Sequence, residues 1–480
     1  MSAIKKFIGQ TAIYGLTTVI SRLFNFILTP IFTDVFKPAI YAIFTKMYAS
    51  ASLMNAVLAF GMESTFFRYL NKHEDKKKEV YNNSFLCVAF LAVLFLVTGL
   101  VFSRSIAIHF ANSPNEVGDY IKYVHSVIWV LFVDALCVIP FAKLRAEEKP
   151  LRYSTIKFLN IGAFISFNMI FLFGIPAIIA MGAGPADWFV SWYREKWVGY
   201  VFISNLIASV LTLLLLVPEL LKLELKFDLP LFKKMFSYSW PVLVANLSFV
   251  VNENLDKMVI EQLGVSAFDL GVYGGVCKIA VFLSLFVTAF RLGAEPFFFS
   301  HAKQANAKET YAVILNYFVV AMTLIFVGLV ANIELLKHFI DEEYWVGLGV
   351  VPVLLFGYVC LGIYGNLSIW YRLSDQTKYG LYISVIGAIT TIVLNILLVP
   401  GFGYVGSAWV SLMAYFNMMV ISYLLGQRNY PIPYDWKRIV AYMLASIVLV
   451  YLSFIVFERN IYVGNVLLVA FMAGIFYFEK

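Results

Sequence analysis

The chain has 480 residues, of which 61% are hydrophobic and 14% are charged, with a formal net charge of +7 and a mean hydropathy of +0.82. This composition excludes an ordinary soluble protein, in which about 25% of residues are charged. A helix needs about 20 apolar residues to cross a bilayer, so this length accommodates about fourteen spans and no sizeable soluble domain.

Hydrophobic runs follow one another along the whole chain, and we expect them to form helices because lipid offers backbone groups no other hydrogen-bond partner. The predicted class is therefore an all-α polytopic membrane protein with two six-helix lobes and two C-terminal helices. The predicted spans are 8–33, 40–67, 81–103, 120–142, 154–176, 197–217, 236–260, 268–291, 310–332, 346–368, 379–400, 404–425, 437–457 and 461–478. The corresponding domains are 1–217, 218–426 and 427–480.

The loops between these spans differ strongly in basic charge. With a cytoplasmic N-terminus, 24 Lys and Arg residues fall on the cytoplasmic side and 7 on the outer side, while 5 lie within spans. The positive-inside rule then predicts that both termini are cytoplasmic and that the span number is even. The basic runs are short and include acidic residues, so they do not indicate nucleic-acid binding.

Two spacings indicate an internal repeat of six spans. Tyr41 to Lys46 recurs in pattern as Tyr273 to Lys278, 232 residues later, and Arg145 and Asn168 match Arg372 and Asn395 at an offset of 227. Since six is even, both copies would have the same orientation in the membrane. The last two spans stand outside the repeat.

Several ionisable residues fall inside predicted spans, where each costs about 2.5–3.5 kcal/mol on insertion scales and should face protein or water. The basic residues are Arg22, Lys46, Lys157, Lys257 and Lys278, and the acidic ones are Glu63, Asp134, Glu253 and Asp256. In the first span a polar face at three- and four-residue steps includes Arg22 and Asn25. Polar faces of this kind also hold membrane helices together without any ligand.

Arg22, Lys46 and Lys278 have no acidic residue three or four positions away, so a local ion pair does not account for them. We therefore predict that they line a cationic cavity for an anionic ligand, in which Arg could grip a phosphate through two hydrogen bonds. Lys257 follows Glu253 by four residues, and we predict that it pairs with Glu253 or Asp256. Asp134 and Lys157, each alone in its span, could pair across helices.

Two common motifs, for nucleotide binding and for zinc-dependent hydrolysis, are missing from the sequence. It contains no G-x-x-x-x-G-K-[ST] loop and no H-E-x-x-H motif. The four cysteines, at widely spaced positions in apolar runs, are typical of packing residues. We accordingly expect no catalytic residues, no metal, no cofactor and no enzymatic activity.

Several segments form a recognisable pattern along the chain. They are Ser21-Arg22-Leu23-Phe24-Asn25-Phe26 with Pro30, Gly61-Met62-Glu63-Ser64-Thr65-Phe66-Phe67-Arg68-Tyr69, Asp256-Lys257-Met258 with Gly271-Val272-Tyr273 and Lys278-Ile279-Ala280, Pro296-Phe297, and Gly403-Tyr404-Val405-Gly406-Ser407-Ala408. These segments resemble the polysaccharide transporter (O-antigen flippase, Wzx-like) family of the MATE-related MOP superfamily. The resemblance covers nearly the whole chain in length and span count.

The resemblance implies two six-helix lobes around a central cavity, alternating access, and export of undecaprenyl-diphosphate-linked oligosaccharide across the bacterial inner membrane. It also implies cationic cavity residues in the first, second and eighth helices, where this chain has Arg22, Lys46 and Lys278. Asn25, Glu63, Asp134, Glu253, Asp256 and Lys257 are the further candidates for cavity or ion-coupling positions. Expected partners are the lipid-linked oligosaccharide, membrane lipid and the polysaccharide polymerase machinery, with no nucleic acid.

Three alternatives stay open at the level of the sequence. A cation-coupled multidrug exporter of the same fold would use an acidic cavity, for which Glu63, Asp134 and Asp256 are available. A lipid II flippase would differ only in its sugar. A membrane-embedded polysaccharide polymerase or ligase would need a large outer loop with catalytic side chains, whereas the longest predicted outer loop is 177–196.

Overall fold

The computed structural model describes residues 17, 20, 23, 24, 26–182, 186–224, 226–302, 304–374 and 376–479. Throughout these ranges the regular structure is helical and no strand occurs. The predicted all-α class is therefore confirmed. Of the predicted first span, 8–33, the structure describes the helical residues 17, 20, 23 and 24 and the last part, which belongs to helix α1, Phe26–Val35.

The helices that follow α1 in the first half of the chain alternate long and short segments. They are α2 Pro38–Ala59, α3 Met62–Lys72, α4 Lys77–Val101, α5 Ser103–Phe110, α6 Val117–Ala146, α7 Pro150–Met169, α8 Ile175–Met181, α9 Ala186–Trp192 and α10 Gly199–Leu220. A π-helical turn, Ile170–Gly174, joins α7 to α8.

The second half is built from longer helices. They are α11 Leu229–Val259, α12 Ala267–His301, α13 Ala307–Ala331, α14 Ile333–Leu336, α15 Val351–Leu367, α16 Ile369–Leu373, α17 Lys378–Asn429, α18 Trp436–Tyr451 and α19 Ile461–Phe478. A 3-10 segment, Glu342–Val350, precedes α15.

Eleven helical segments of the described chain are long and apolar enough to cross a membrane. One of them is the 52-residue α17, which contains Gly403 at φ 57° and ψ −144°. This backbone conformation breaks the helix between the predicted eleventh and twelfth spans, and glycine adopts it without the steric cost of a Cβ atom. Helix α11 has 31 residues but is not among the eleven, since Asn, Glu and Asp residues lower its hydropathy. The count of fourteen stays a prediction.

The described residues form two compact units. One unit, called here the N-unit, comprises the described residues before Thr29 together with Lys46–Val250. The other, the C-unit, comprises Thr29–Thr45 and the chain from Val251 onward. The division 1–217, 218–426 and 427–480 follows span order alone and stays a prediction.

The N-unit has a core of apolar residues from α2, α3, α4 and α6, among them Met62, Phe66 and Ile139. Helix α10 packs against both α6 and α7. In the C-unit, α15 packs against α12, α13 and α17, and the last two helices, α18 and α19, pack on α13. Two asparagines, Asn332 after α13 and Asn465 on α19, exchange side-chain hydrogen bonds of 3.2 and 3.1 Å.

Gly61 forms the sharp turn between α2 and α3 with φ 65°. A Cβ atom at this position would lie 2.7 Å from the carbonyl oxygen of Ser239. We expect Gly61→Ala to lower the stability of the N-unit by about 1–3 kcal/mol, because the backbone strain and the overlap act together. Thermal unfolding of the purified protein in detergent measures the change.

Gly162→Ala is the matched control for this prediction. Gly162 lies inside α7 and a Cβ atom there would have no heavy atom within 4 Å. Since alanine favours a helix by about 1 kcal/mol over glycine, this change should leave the unfolding temperature equal or higher. Equal unfolding temperatures for the two variants would contradict a strained turn at Gly61.

Candidate functional site

The structure places the three predicted cationic residues in different situations. Arg22 lies outside the described residues, as does Asn25 of the same span. Lys46 belongs to the N-unit and Lys278 to the C-unit.

Lys46 is a buried residue with partners inside its own unit. Only 2% of its surface is exposed. Its Nζ donates a 2.9 Å hydrogen bond to the carbonyl oxygen of Phe110 and lies 5.1 Å from the ring centroid of Tyr120. Because Phe110 is the last residue of α5, the ammonium group sits where a helix presents unsatisfied carbonyls and a partial negative charge. Lys46 therefore stabilises the end of α5 in this structure.

Lys278 has a different environment. It is half-buried on α12, and its Nζ lies 5.9 Å from the ring centroid of Phe44. Within the described ranges its Nζ forms no hydrogen bond and no ion pair. An ammonium group inside a span without a polar partner is costly and calls for a ligand or water.

A polar cavity of about 390 Å³ lies inside the N-unit. Helix α6 lines it with Asp134 and Arg145, α7 with Lys157 and Asn160, and α3 with Glu63. The remaining lining residues are Asn55, Ala59, Cys137, Val138, Phe141, Tyr153, Asn205, Ser209 and Thr212. The structure thus brings together two predicted site residues, Glu63 and Asp134.

One end of this cavity, here called its mouth, is marked by an ion pair between Arg145 and Glu63. These side chains are 30% and 43% exposed, so the mouth is accessible to solvent. Asp134 lies eleven residues before Arg145 on α6, which at 1.5 Å per residue places it about 16 Å deeper along the helix. Ser209, only 1% exposed, also lies on the wall. The cavity thus extends along α6 from Arg145 at its mouth to Asp134.

Asp134 and Lys157 share the cavity wall, as the pairing hypothesis required. Their charges interact, but no Asp134–Lys157 ion pair within 4 Å forms in the described structure. The Lys157 Nζ instead lies 4.2 Å from the ring centroid of Phe141. Space between a carboxylate and an ammonium group leaves both able to contact a third group.

The C-unit contains a second buried network, built around Asp256, which is 3% exposed. Its Oδ1 lies 3.0 Å from the Nζ of Lys257, and its Oδ2 accepts a 2.6 Å hydrogen bond from the hydroxyl of Tyr273. Lys257 Nζ also donates to the backbone carbonyl of Glu253 at 2.8 Å. The prediction that Lys257 pairs with Glu253 or Asp256 is confirmed, with Asp256 as the carboxylate partner.

Several cavity residues were not predicted from the sequence. Asn205, Ser209 and Thr212 follow the i, i+4, i+7 spacing of one face of α10 and could have been found by that period. Asn160 has the same spacing with Tyr153 and Lys157 on α7, whereas Asn55 has no such signal. In the part of the chain that is described, no group of three or more His, Cys, Asp and Glu side chains is placed to hold a metal ion.

Comparisons with solved structures show the fold. The lipid II flippase MurJ in an inward closed conformation matches with a TM-score of 0.70 and 14% identity, over 97% of this chain and 98% of that one. An inward-facing multidrug resistance MATE family transporter of the MOP superfamily matches with a TM-score of 0.63 and 14% identity, over 88% and 95%. The predicted MATE-like architecture is confirmed.

Sequence comparisons agree with the fold. An uncharacterised membrane protein of Methanocaldococcus jannaschii is 22% identical over 450 residues, covering 89% of this chain and 84% of that protein. The MatE family model matches residues 241–397. The model of the polysaccharide biosynthesis protein family matches residues 8–300, more than half of the chain. The chain is therefore a multi-pass membrane protein of the transporter and flippase fold, and it belongs to the polysaccharide biosynthesis protein family.

Proposed function

We propose that this protein is a flippase that moves undecaprenyl-diphosphate-linked oligosaccharide, an O-antigen or other surface polysaccharide unit, across the bacterial inner membrane by alternating access. The observation that carries the proposal is the half-buried Lys278 ammonium, which has no polar partner within the described ranges. A diphosphate is the strongest class of partner for such a group, because hydrogen bonds between ionised groups are about twice as strong as neutral ones. Membership of a polysaccharide biosynthesis family supports the same substrate class.

In this proposal Arg22, Lys46 and Lys278 bind the diphosphate while the lipid tail stays in the bilayer. Lys46 would have to exchange its hydrogen bond to Phe110 for the ligand, so Lys278 is the better supported of the two described residues. Both termini are cytoplasmic, the protein performs transport without enzymatic chemistry, and its partners are the lipid-linked substrate, membrane lipid and the polymerase machinery.

A cation-coupled multidrug exporter is the second candidate. The half-buried carboxylate of Asp134 on the cavity wall and the buried carboxylate of Asp256 favour it, as does the match of residues 241–397 to the MatE model. A lipid II flippase would use the same cationic residues and differ in the sugar moved.

Reconstitution into liposomes separates these candidates. Fluorescent undecaprenyl-diphosphate oligosaccharide is placed in the membrane, and its exposure to an external quencher is followed with time. We expect the protein to accelerate transbilayer movement of this lipid and not the uptake of a cationic dye. Dye transport without lipid movement would establish the exporter, and lipid II movement in preference to other oligosaccharides would establish the peptidoglycan alternative.

A further inference from the structure

The polar cavity of the N-unit has a counterpart in the C-unit, and the two cavities differ in volume and in the chemistry of their lining. The counterpart cavity of the C-unit has a volume of about 30 Å³. Lining positions of the two cavities correspond at the repeat offsets of 232 and 227 residues: Asn55 with Val287, Ala59 with Arg291, Val138 with Gly365, and Arg145 with Arg372. The cavities thus occupy equivalent places in the two copies of the repeat.

The C-unit cavity is small and has no acidic lining residue among those described. Phe290, Phe298 and Phe318 line it, together with Arg291, Asn366 and Arg372. At the offset of 227, the deep polar residues of the N-unit are replaced by residues that carry no charge or amide: Asp134 by Leu361, Lys157 by Ser384, and Asn160 by Gly387. Since one copy of the repeat folds without a large polar cavity, packing does not account for its presence in the other copy.

The size of the N-unit cavity indicates what it can hold. Its volume of about 390 Å³ lies in the range of small-molecule sites, about 300–1,000 Å³, whereas one water molecule takes up about 30 Å³ of liquid. The ionisable groups of its lining include two acidic and two basic side chains, Glu63 and Asp134 against Arg145 and Lys157, which balance in charge. This balance favours a neutral ligand over an anion or a cation.

The remaining lining groups both donate and accept hydrogen bonds. Asn55, Asn160 and Asn205 carry carboxamides, and Ser209 and Thr212 carry hydroxyls, beside the aromatic rings of Phe141 and Tyr153. Asn160 already donates one hydrogen bond, of 2.9 Å, to Thr212, which fixes its orientation. Closely spaced side chains that donate and accept hydrogen bonds are complementary to a polyhydroxylated ring, because each of its hydroxyls also donates and accepts hydrogen bonds.

We propose that this cavity binds a neutral sugar unit of the transported lipid, separately from the cationic residues that hold its diphosphate. The inference rests on the proposed function and adds which part of the substrate binds in this cavity. The sugar enters at the mouth beside the Glu63–Arg145 ion pair and contacts the amide and hydroxyl groups on α7 and α10.

Cys137 is a native reporter for this proposal, because it lines the cavity. The purified full-length protein is treated with methyl methanethiosulfonate with and without millimolar glucose, galactose or N-acetylglucosamine, and labelling of each cysteine is quantified by peptide mass spectrometry. We expect at least one sugar to slow labelling of Cys137 several-fold and to leave labelling of Cys87, which is half-buried and does not line the cavity, unchanged. The proposal would be overturned if Cys137 is not labelled, or if its labelling rate is the same with and without every sugar. It would also be overturned if sodium or low pH alone protects Cys137.

The Asn160→Leu, Thr212→Val double variant should lose the protection. Asn366→Leu, which changes the only amide in the lining described for the C-unit cavity, is the matched control and should retain it. Protection that persists in the double variant would place the sugar elsewhere. Lipid movement is measured on the same preparations so that the two proposals can be told apart. Sugar protection of Cys137 without lipid movement would reject the flippase function. Lipid movement without sugar protection would reject only the sugar site.

Discussion

Replacement of Lys278 by Met is expected to reduce transbilayer movement of the lipid-linked oligosaccharide by roughly one to two orders of magnitude. A hydrogen bond to a charged group contributes about 1.5–3 kcal/mol, and about 1.4 kcal/mol corresponds to a factor of ten. The same change should leave the unfolding temperature equal or higher, because an ammonium group without a polar partner costs about 2.5–3.5 kcal/mol within a membrane span. Loss of activity without loss of stability is the signature of a ligand-binding residue.

Lys46→Met is the matched comparison for the effect on stability. Its ammonium group binds the Phe110 carbonyl and lies over the Tyr120 ring, so removal leaves a helix end unsatisfied. We expect a loss of about 1–3 kcal/mol in stability, observed as a lower unfolding temperature in detergent. If Lys278→Met unfolds at a lower temperature than Lys46→Met, or if Lys278→Met transports normally, Lys278 is not the residue that binds the diphosphate.

Replacement of Asp256 by Leu is expected to destabilise the C-unit by about 3–5 kcal/mol. The change removes the only carboxylate in contact with Lys257 in the described structure and leaves its ammonium group with the neutral Glu253 carbonyl in place of a counter-charge. The double variant Asp256→Leu, Lys257→Met should recover most of that loss, since no charge then remains buried. Thermal unfolding of the wild type, the two single variants and the double variant gives the coupling free energy of the pair.

Tyr273→Phe measures the contribution of the neighbouring hydrogen bond. It removes the 2.6 Å bond to Asp256 and leaves the ion pair in place, so its cost should be about 1 kcal/mol. If Asp256→Leu costs no more than Tyr273→Phe, or if the two single changes simply add in the double variant, the ion pair does not hold this part of α11.

The span pattern could be predicted from the sequence because apolar runs and turn residues are local signals. The predicted boundary between 379–400 and 404–425, for example, coincides with the non-helical Gly403. The Lys257–Asp256 pair was also predictable, since its partners are adjacent in the chain. These features depend on neighbours within one or two helical turns.

The environment of Lys46 could not be predicted in this way. Its partner is a backbone carbonyl 64 residues away, and every residue type has such a carbonyl. The polar cavity depends on how α6, α7 and α10 pack side by side, and span order does not specify lateral packing. Sequence alone therefore identified Glu63 and Asp134 as candidates without showing that they share one cavity.

The separation between Lys46 and Phe110 also has a consequence for synthesis of the protein. A chain made from its N-terminus presents α2 to the membrane before α5 exists, so the Lys46 charge has no helix end to bind during that interval. Nascent chains that end before Phe110 should accordingly insert α2 poorly or hold it near the translocation channel. We therefore expect α2 to insert stably in lipid only after α5 has been synthesised.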